Sequence, residues 1–226
     1  MAAVAYSDVI AGVAVVTPVV HSDERGLFVE IYRREWINGA REMVQANRGD
    51  RQAGSLVGLH YHLHQADYWY VPFGGARVVL HDLRRGSPTE GATLMLDLGR
   101  VDTADTEPID ARSDSVRSGS ARSAAEASNP HRGVYIPCGV AHGFAALSDM
   151  TITYLVDGYY NPTDELGVAW DDPTIGADWG VAQPILSERD QANPQRADIP
   201  AHLMPVFEMP QLDVAGLGVA GLERPG

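Results

Sequence analysis

"GLHYHLHQAD", residues 58–67, carries three histidines at two-residue spacing and ends on an aspartate. Side chains alternate faces along a strand, so His60, His62 and His64 would share one face there. The stretch sits in a wider frame of fixed spacing. Gly54 precedes His60 by five intervening residues, four separate His62 from Asp67, and six separate Asp67 from Gly74. A second frame, Pro137-x-Gly139-x-x-His142, lies far downstream. Three readings fit these residues: a catalytic base with polar neighbours, a metal site, or a strand that is simply polar on one side.

The 226-residue chain is long enough for one domain with extensions. Its net charge of −13 argues against nucleic acid and anionic membranes as partners. An anionic small ligand remains compatible, because a few arginines can build a phosphate site. All 17 basic residues are arginine, which excludes every lysine-based mechanism. The single cysteine, Cys138, excludes an intramolecular disulfide and suits a reducing cytoplasm. Residues 1–20 lack a basic start, and Asp8 and Pro18 interrupt them, so they read as an entry strand. No run of 18 apolar residues exists.

Short apolar runs recur between turn residues, at 13–20, 26–32, 42–46, 55–61, 68–73, 76–83, 92–98, 133–136, 143–147 and 151–156. Only 33–42, "RREWINGARE", has a helical look before residue 160. Many short strands at this spacing predict an all-β antiparallel sandwich or barrel with a few short helices. Residues 100–131 are rich in Ser, Ala, Asp and Arg and are expected to form a mobile insertion, or else a lid. The domain is expected to span 1–192, with 193–226 a Pro- and Gly-rich C-terminal extension packed along the surface or frayed.

The two spaced frames resemble those of cupins, double-stranded β-helix jelly rolls. In metal-binding cupins, the positions of His60, His62, Asp67 and His142 hold a divalent transition metal, although glutamate is usual where Asp67 stands. A broader resemblance runs from about residue 9 to 192. It is carried by "DERGLFVE" (23–30), "QAN" (45–47), "GLHY" (58–61), "DLRRGSPTEG" (82–91), "IPCGVAHGF" (136–144), "YLVDGYYNPTDELGVAWDDP" (154–173) and "PILSERD" (184–190). These islands, in this order, resemble the dTDP-4-dehydrorhamnose 3,5-epimerase family, itself of cupin jelly-roll fold.

That resemblance implies an isomerase acting on a nucleotide-linked 4-keto-6-deoxyhexose, with no cofactor; the departures set out below favour inversion at a single carbon, or a changed sugar or nucleotide, over the full parent activity. Protons on carbons beside the ketone are acidic; a base removes one, and an acid on the opposite face returns it inverted. His60 matches the family's base, Asp190 the carboxylate that orients it, and Tyr154 the proton donor. Arg25, Glu30, Gln45 and Asn47 match nucleotide and phosphate contacts, and His142 an active-site histidine. The strand carrying the arginine crosses between subunits in the family, which implies a homodimer. Plainer roles exist for each: Tyr154 as a strand aromatic, Asp190 as a helix N-cap, and the four contact residues as a solvated edge.

Two departures separate this chain from the family pattern. Val57 stands where the family has an arginine that helps hold the diphosphate. Asp67 stands where the family has a lysine that stabilises the developing enolate. Losing such a donor costs on the order of 10²–10³ in rate. Arg77 is considered as a substitute, although the family pattern gives it no support. The same change brings Asp67 to metal-ligand spacing, so a metal acting as Lewis acid is an alternative. If His60 were a metal ligand, however, it would not be free as the base. A metal-dependent cupin enzyme (oxygenase, lyase or isomerase) and a catalytically inactive ligand-binding jelly roll are the competing functions.

Overall fold

The computed structural model describes residues 1–101 and 130–208. Nearly all of the expected insertion 100–131 and the part of the extension beyond residue 208 lie outside the described residues. Thirteen strands are described: β1 (Ala3–Tyr6), β2 (Ala14–Thr17), β3 (Val20–Asp23), β4 (Gly26–Val29), β5 (Gln45–Arg51), β6 (Leu56–Tyr61), β7 (Asp67–Phe73), β8 (Gly75–Asp82), β9 (Thr93–Gly99), β10 (Gly133–Ile136), β11 (Val140–Ala146), β12 (Met150–Val156) and β13 (Leu166–Gly167). They form a six-stranded sheet, β1-β2-β10-β7-β12-β5, and a five-stranded sheet, β13-β6-β11-β8-β9. A separate hairpin pairs β3 with β4. Every pairing between strands is antiparallel, as in a jelly roll.

The period-2 rule explains the packing. Ala76, Val78 and Leu80 of β8 point between the sheets, where Trp69 and Val71 of β7, Phe144 and Ala146 of β11, and Ile152 of β12 meet them. Each Val, Leu, Ile or Phe among them contributes about 1.5–3 kcal/mol on burial. Val79 of β8 and Ala141 and Ala145 of β11 face the other way, onto Val168, Ile175, Trp179 and Ile199. The segment after β13 therefore covers the back of the five-stranded sheet. Ile199 belongs to the described part of the C-terminal extension, which also pairs its backbone with Arg85 through Pro205 and Phe207.

The expected helix over 33–42 is absent; a single 3-10 turn covers Arg34–Trp36. Arg33 provides no side-chain cap, and Gly39 adopts φ +76°. Trp36 and Ile37 instead pack on the outer face of the six-stranded sheet with Tyr68 and Tyr70. The expected strand at 13–20 is broken at Pro18 into β2 and β3, which belong to different sheets.

Candidate active site

The site lies between the sheets, and one extra residue in β6 creates half of it. The β6–β11 register pairs His142 with His60 but Phe144 with Val57, so β6 carries a bulge between Val57 and His60. The bulge reverses the strand's phase. Val57 packs on the inner core and Leu59 and Tyr61 on the outer one, which turns His60 inward. Gly58 sits at the bulge with φ +117°, and a Cβ there would lie 2.7 Å from Gly143 Cα and 2.8 Å from the His142 carbonyl oxygen. Only glycine fits this approach of β6 to β11.

His60 Nε2 lies 2.6 Å from Asp190 Oδ1. A carboxylate accepts, so Nε2 carries the proton and Nδ1 keeps the free lone pair. Asp190 belongs to a short helix, Glu188–Gln191, whose N-cap is Ser187 rather than Asp190. The Ser187 hydroxyl donates to Asp190 Oδ2 at 2.8 Å. Burial works to raise the Asp190 carboxyl, but His60 and the Ser187 and Arg189 contacts outweigh it and hold the group below the usual carboxylate range.

Tyr154 of β12 approaches from the opposite sheet and packs against the inner core. Burial raises its phenol, and the nearby Asp67 carboxylate raises it further, against an opposing pull from Arg51. Tyr154 is therefore protonated at neutral pH. Beside it in register runs Asn47 of β5, whose Oδ1 accepts from Gln45 Nε2 at 2.9 Å. Gln45, Asn47, Gly49 and Arg51 form the less exposed face of that strand.

His62, Asp67 and His142 are buried together, each offering a ligand atom within 4.8 Å of the others. The His62 and His142 ring centres are 5.4 Å apart, and Trp69 meets His142 edge-on at 5.1 Å. His62 Nδ1 is 2.7 Å from the Asp164 carbonyl oxygen, and His142 Nδ1 is 2.9 Å from that of Val140. Asp67 accepts from the Trp69 indole at 3.0 Å and the Gln65 amide at 3.1 Å. Burial pushes His142 down to about 4, although Asp67 opposes the shift. His60 stands outside this group, with Nε2 taken by Asp190, so the four-residue metal set does not assemble as one.

The loop between His62 and Asp67 is pinned from afar. The Asp164 carboxylate accepts from Leu63 N at 2.7 Å and His64 N at 3.1 Å, and Asp157 accepts from Ala66 N at 2.8 Å. The exposed His64 takes no part in the site. Asp164, Ser187 and Trp69 hold the candidate residues His62, Asp190 and Asp67, and no spacing rule points to them, because their partners are distant or their residue types are ordinary. Arg77 is committed to Asp97 and to the Asp178 carbonyl, so it is not a replacement for the missing lysine.

Arg25 and Glu30 are not brought to the site in this chain. Arg25 is exposed near the tip of the β3–β4 hairpin and pairs with Asp23, while Glu30 pairs with Arg33 at 2.6 Å. Leu27 and Phe28 on the same hairpin are 60% and 69% exposed.

The family model described as dTDP-4-dehydrorhamnose 3,5-epimerase matches residues 8–105 and 106–198. The dTDP-4-dehydrorhamnose 3,5-epimerase of Mycobacterium tuberculosis (strain H37Rv) is 33% identical over 208 residues, spanning 87% of this chain and 89% of its own. Among solved structures, NovW, a 4-keto-6-deoxy sugar epimerase from the novobiocin cluster of Streptomyces spheroides, matches with TM-score 0.74 and 30% identity, over 92% of this chain and 94% of that one. The 3,5-epimerase of Legionella pneumophila, in complex with dTDP-4-keto-L-rhamnose, matches with TM-score 0.74 and 28% identity, over 92% of this chain and 100% of that one. The jelly roll, its order of motifs and these matches agree: the chain belongs to the dTDP-4-dehydrorhamnose 3,5-epimerase family.

Proposed function

We propose that the chain epimerises a nucleotide-linked 4-keto-6-deoxyhexose at a carbon beside the ketone. The carrying observation is that His60, backed by Asp190, and Tyr154 come from opposite sheets. A sugar ring between them has a base on one face and a phenol on the other. His60 Nδ1 takes the proton, and the electron pair moves onto the carbonyl oxygen. Asp190 stabilises the imidazolium and fixes its tautomer. Tyr154 returns a proton to the same carbon from the other face, which inverts it. The tyrosinate and the imidazolium then reset by exchange with solvent. This proton chemistry needs no redox cofactor.

The diphosphate of such a substrate needs cations where Val57 has replaced arginine. Arg51 supports this role, since its charge acts on Tyr154 from the adjacent strand. Arg25 completes the set from a second copy of the chain. Its exposed hairpin, with Leu27 and Phe28 uncovered, suits a dimer in which each hairpin reaches the partner's site. Incubation with dTDP-4-keto-6-deoxyglucose, followed by borohydride reduction and sugar analysis, tests the activity. The expected result is a sugar inverted at C3, C5 or both; unchanged configuration at both carbons overturns it.

A further inference from the structure

We infer that His62, Asp67 and His142 form a divalent transition-metal site that excludes His60 and supplies the positive charge a lysine gives elsewhere in the family. The binding claim stands on these three residues alone; only its role rests on the epimerase reading. The argument begins with tautomers. A backbone carbonyl can only accept, so Nδ1 of His62 donates to Asp164 and Nδ1 of His142 donates to Val140. A neutral imidazole with its proton on Nδ1 has a lone pair on Nε2. Among the described residues neither Nε2 has a hydrogen-bond partner.

The third member is a carboxylate that already holds one donor on each oxygen, Gln65 on Oδ1 and Trp69 on Oδ2. Three electron-pair donors thus converge in a buried pocket. Converging lone pairs of this kind are stabilised by a cation held between them, and buried charges are paired or coordinate metals. Both histidines anchored through their second nitrogen, and the carboxylate oriented by outer hydrogen bonds, match the supporting contacts of metal ligands.

The geometry allows a shared ion. Ligand atoms at about 2.1 Å from one ion lie roughly 3–4 Å apart, so closing from within 4.8 Å asks for shifts below about 1 Å. Two imidazoles and one carboxylate suit Zn, Fe, Mn, Co or Ni and leave coordination positions open. The charge also balances, because one divalent ion over one carboxylate leaves a net positive centre beside Tyr154, as a lysine would. His60 keeps its base function throughout, since Asp190 and not the triad engages it. Base and metal site therefore coexist, which a four-residue set including His60 would not permit.

The test uses the full chain, stripped with chelator and titrated calorimetrically with Zn²⁺, Mn²⁺, Ni²⁺ and Co²⁺; Co²⁺ also reports through its visible absorption. The expected result is one equivalent per chain for at least one ion. Affinity should fall by at least about 100-fold in His62→Gln and in Asp67→Asn, and be unchanged in His60→Asn. Uptake below about 0.1 equivalent by the folded wild-type chain overturns the inference, as does wild-type affinity in both folded ligand variants. Loss of binding in folded His60→Asn overturns the three-ligand assignment. Failure of the epimerase reading is separate: it appears as absent inversion, whatever the metal titration gives.

Discussion

His60 Nε2 and Asp190 Oδ1 meet at 2.6 Å across 130 residues of sequence. The strand bulge at Gly58 aims one partner inward, and the Ser187-capped helix delivers the other. A hydrogen bond of this kind fixes which imidazole nitrogen is basic. Asp190→Asn should therefore lower turnover by about 10²–10⁴-fold without unfolding the chain. Parallel kinetics and circular dichroism check this; near-wild-type turnover in a folded Asp190→Asn chain would show that the dyad is structural.

Tyr154 packs on the inner core from the sheet opposite the one that carries His60. Tyr154→Phe removes the proposed proton donor but leaves His60 and Asp190 in place. The variant should still exchange a substrate proton with solvent, while formation of inverted product drops by at least about 10²-fold. Product analysis beside the exchange measurement separates the two steps. Full inversion by Tyr154→Phe would assign the donor elsewhere.

The exposed hairpin carries its own expectation. Phe28→Asp should give a monomer by light scattering, because a charge replaces a 69% exposed ring at the proposed subunit contact. The monomer should also bind substrate more weakly, since in the proposed dimer Arg25 reaches the neighbouring site. A Phe28→Asp dimer with unchanged KM would count against the hairpin's role.

His81 provides a stability test remote from the proton chemistry. It is fully buried, with Nδ1 donating to Thr93 Oγ1, whose hydroxyl donates to the Ile175 carbonyl. Burial, aided by Arg196 and opposed by Asp82 and Asp172, lowers it to about 4. Its folded value lies below its unfolded value near 6.5, so the unfolded chain binds the proton more readily. The stabilisation is complete above about 6.5 and is lost as pH falls toward 4. Urea unfolding at pH 7.5 and 4.5 should differ by about 2 kcal/mol from this residue. His81→Asn should remove that share of the slope, and an unaltered slope would contradict it.

The jelly roll was legible where faces are apolar. "ARVVLHDL" alternates as β8 does, and the inner and outer cores follow from that alternation. The strand β5, "QANRGDR", was legible only at its start, because its inner face carries Gln45, Asn47, Gly49 and Arg51 instead of apolar residues. A strand that lines a site loses the pattern that reveals strands. "RREWINGARE" misled for the opposite reason: its apolar residues serve the sheet's outer face, not a helix. The spacing of His62, Asp67 and His142 did foreshadow their cluster, yet it also drew in His60. Spacing does not see the bulge at Gly58 or the competing partner Asp190. That pairing was legible only through family resemblance, since no local signal links residues so far apart.

The most direct test of the account is deuterium incorporation from D₂O into dTDP-4-keto-6-deoxyglucose, followed by NMR with wild-type chain and His60→Asn. The account predicts deuterium at a carbon beside the ketone with wild type and none above background with His60→Asn. Absence of deuterium with wild-type chain that demonstrably binds the nucleotide would contradict it, and so would equal incorporation by His60→Asn.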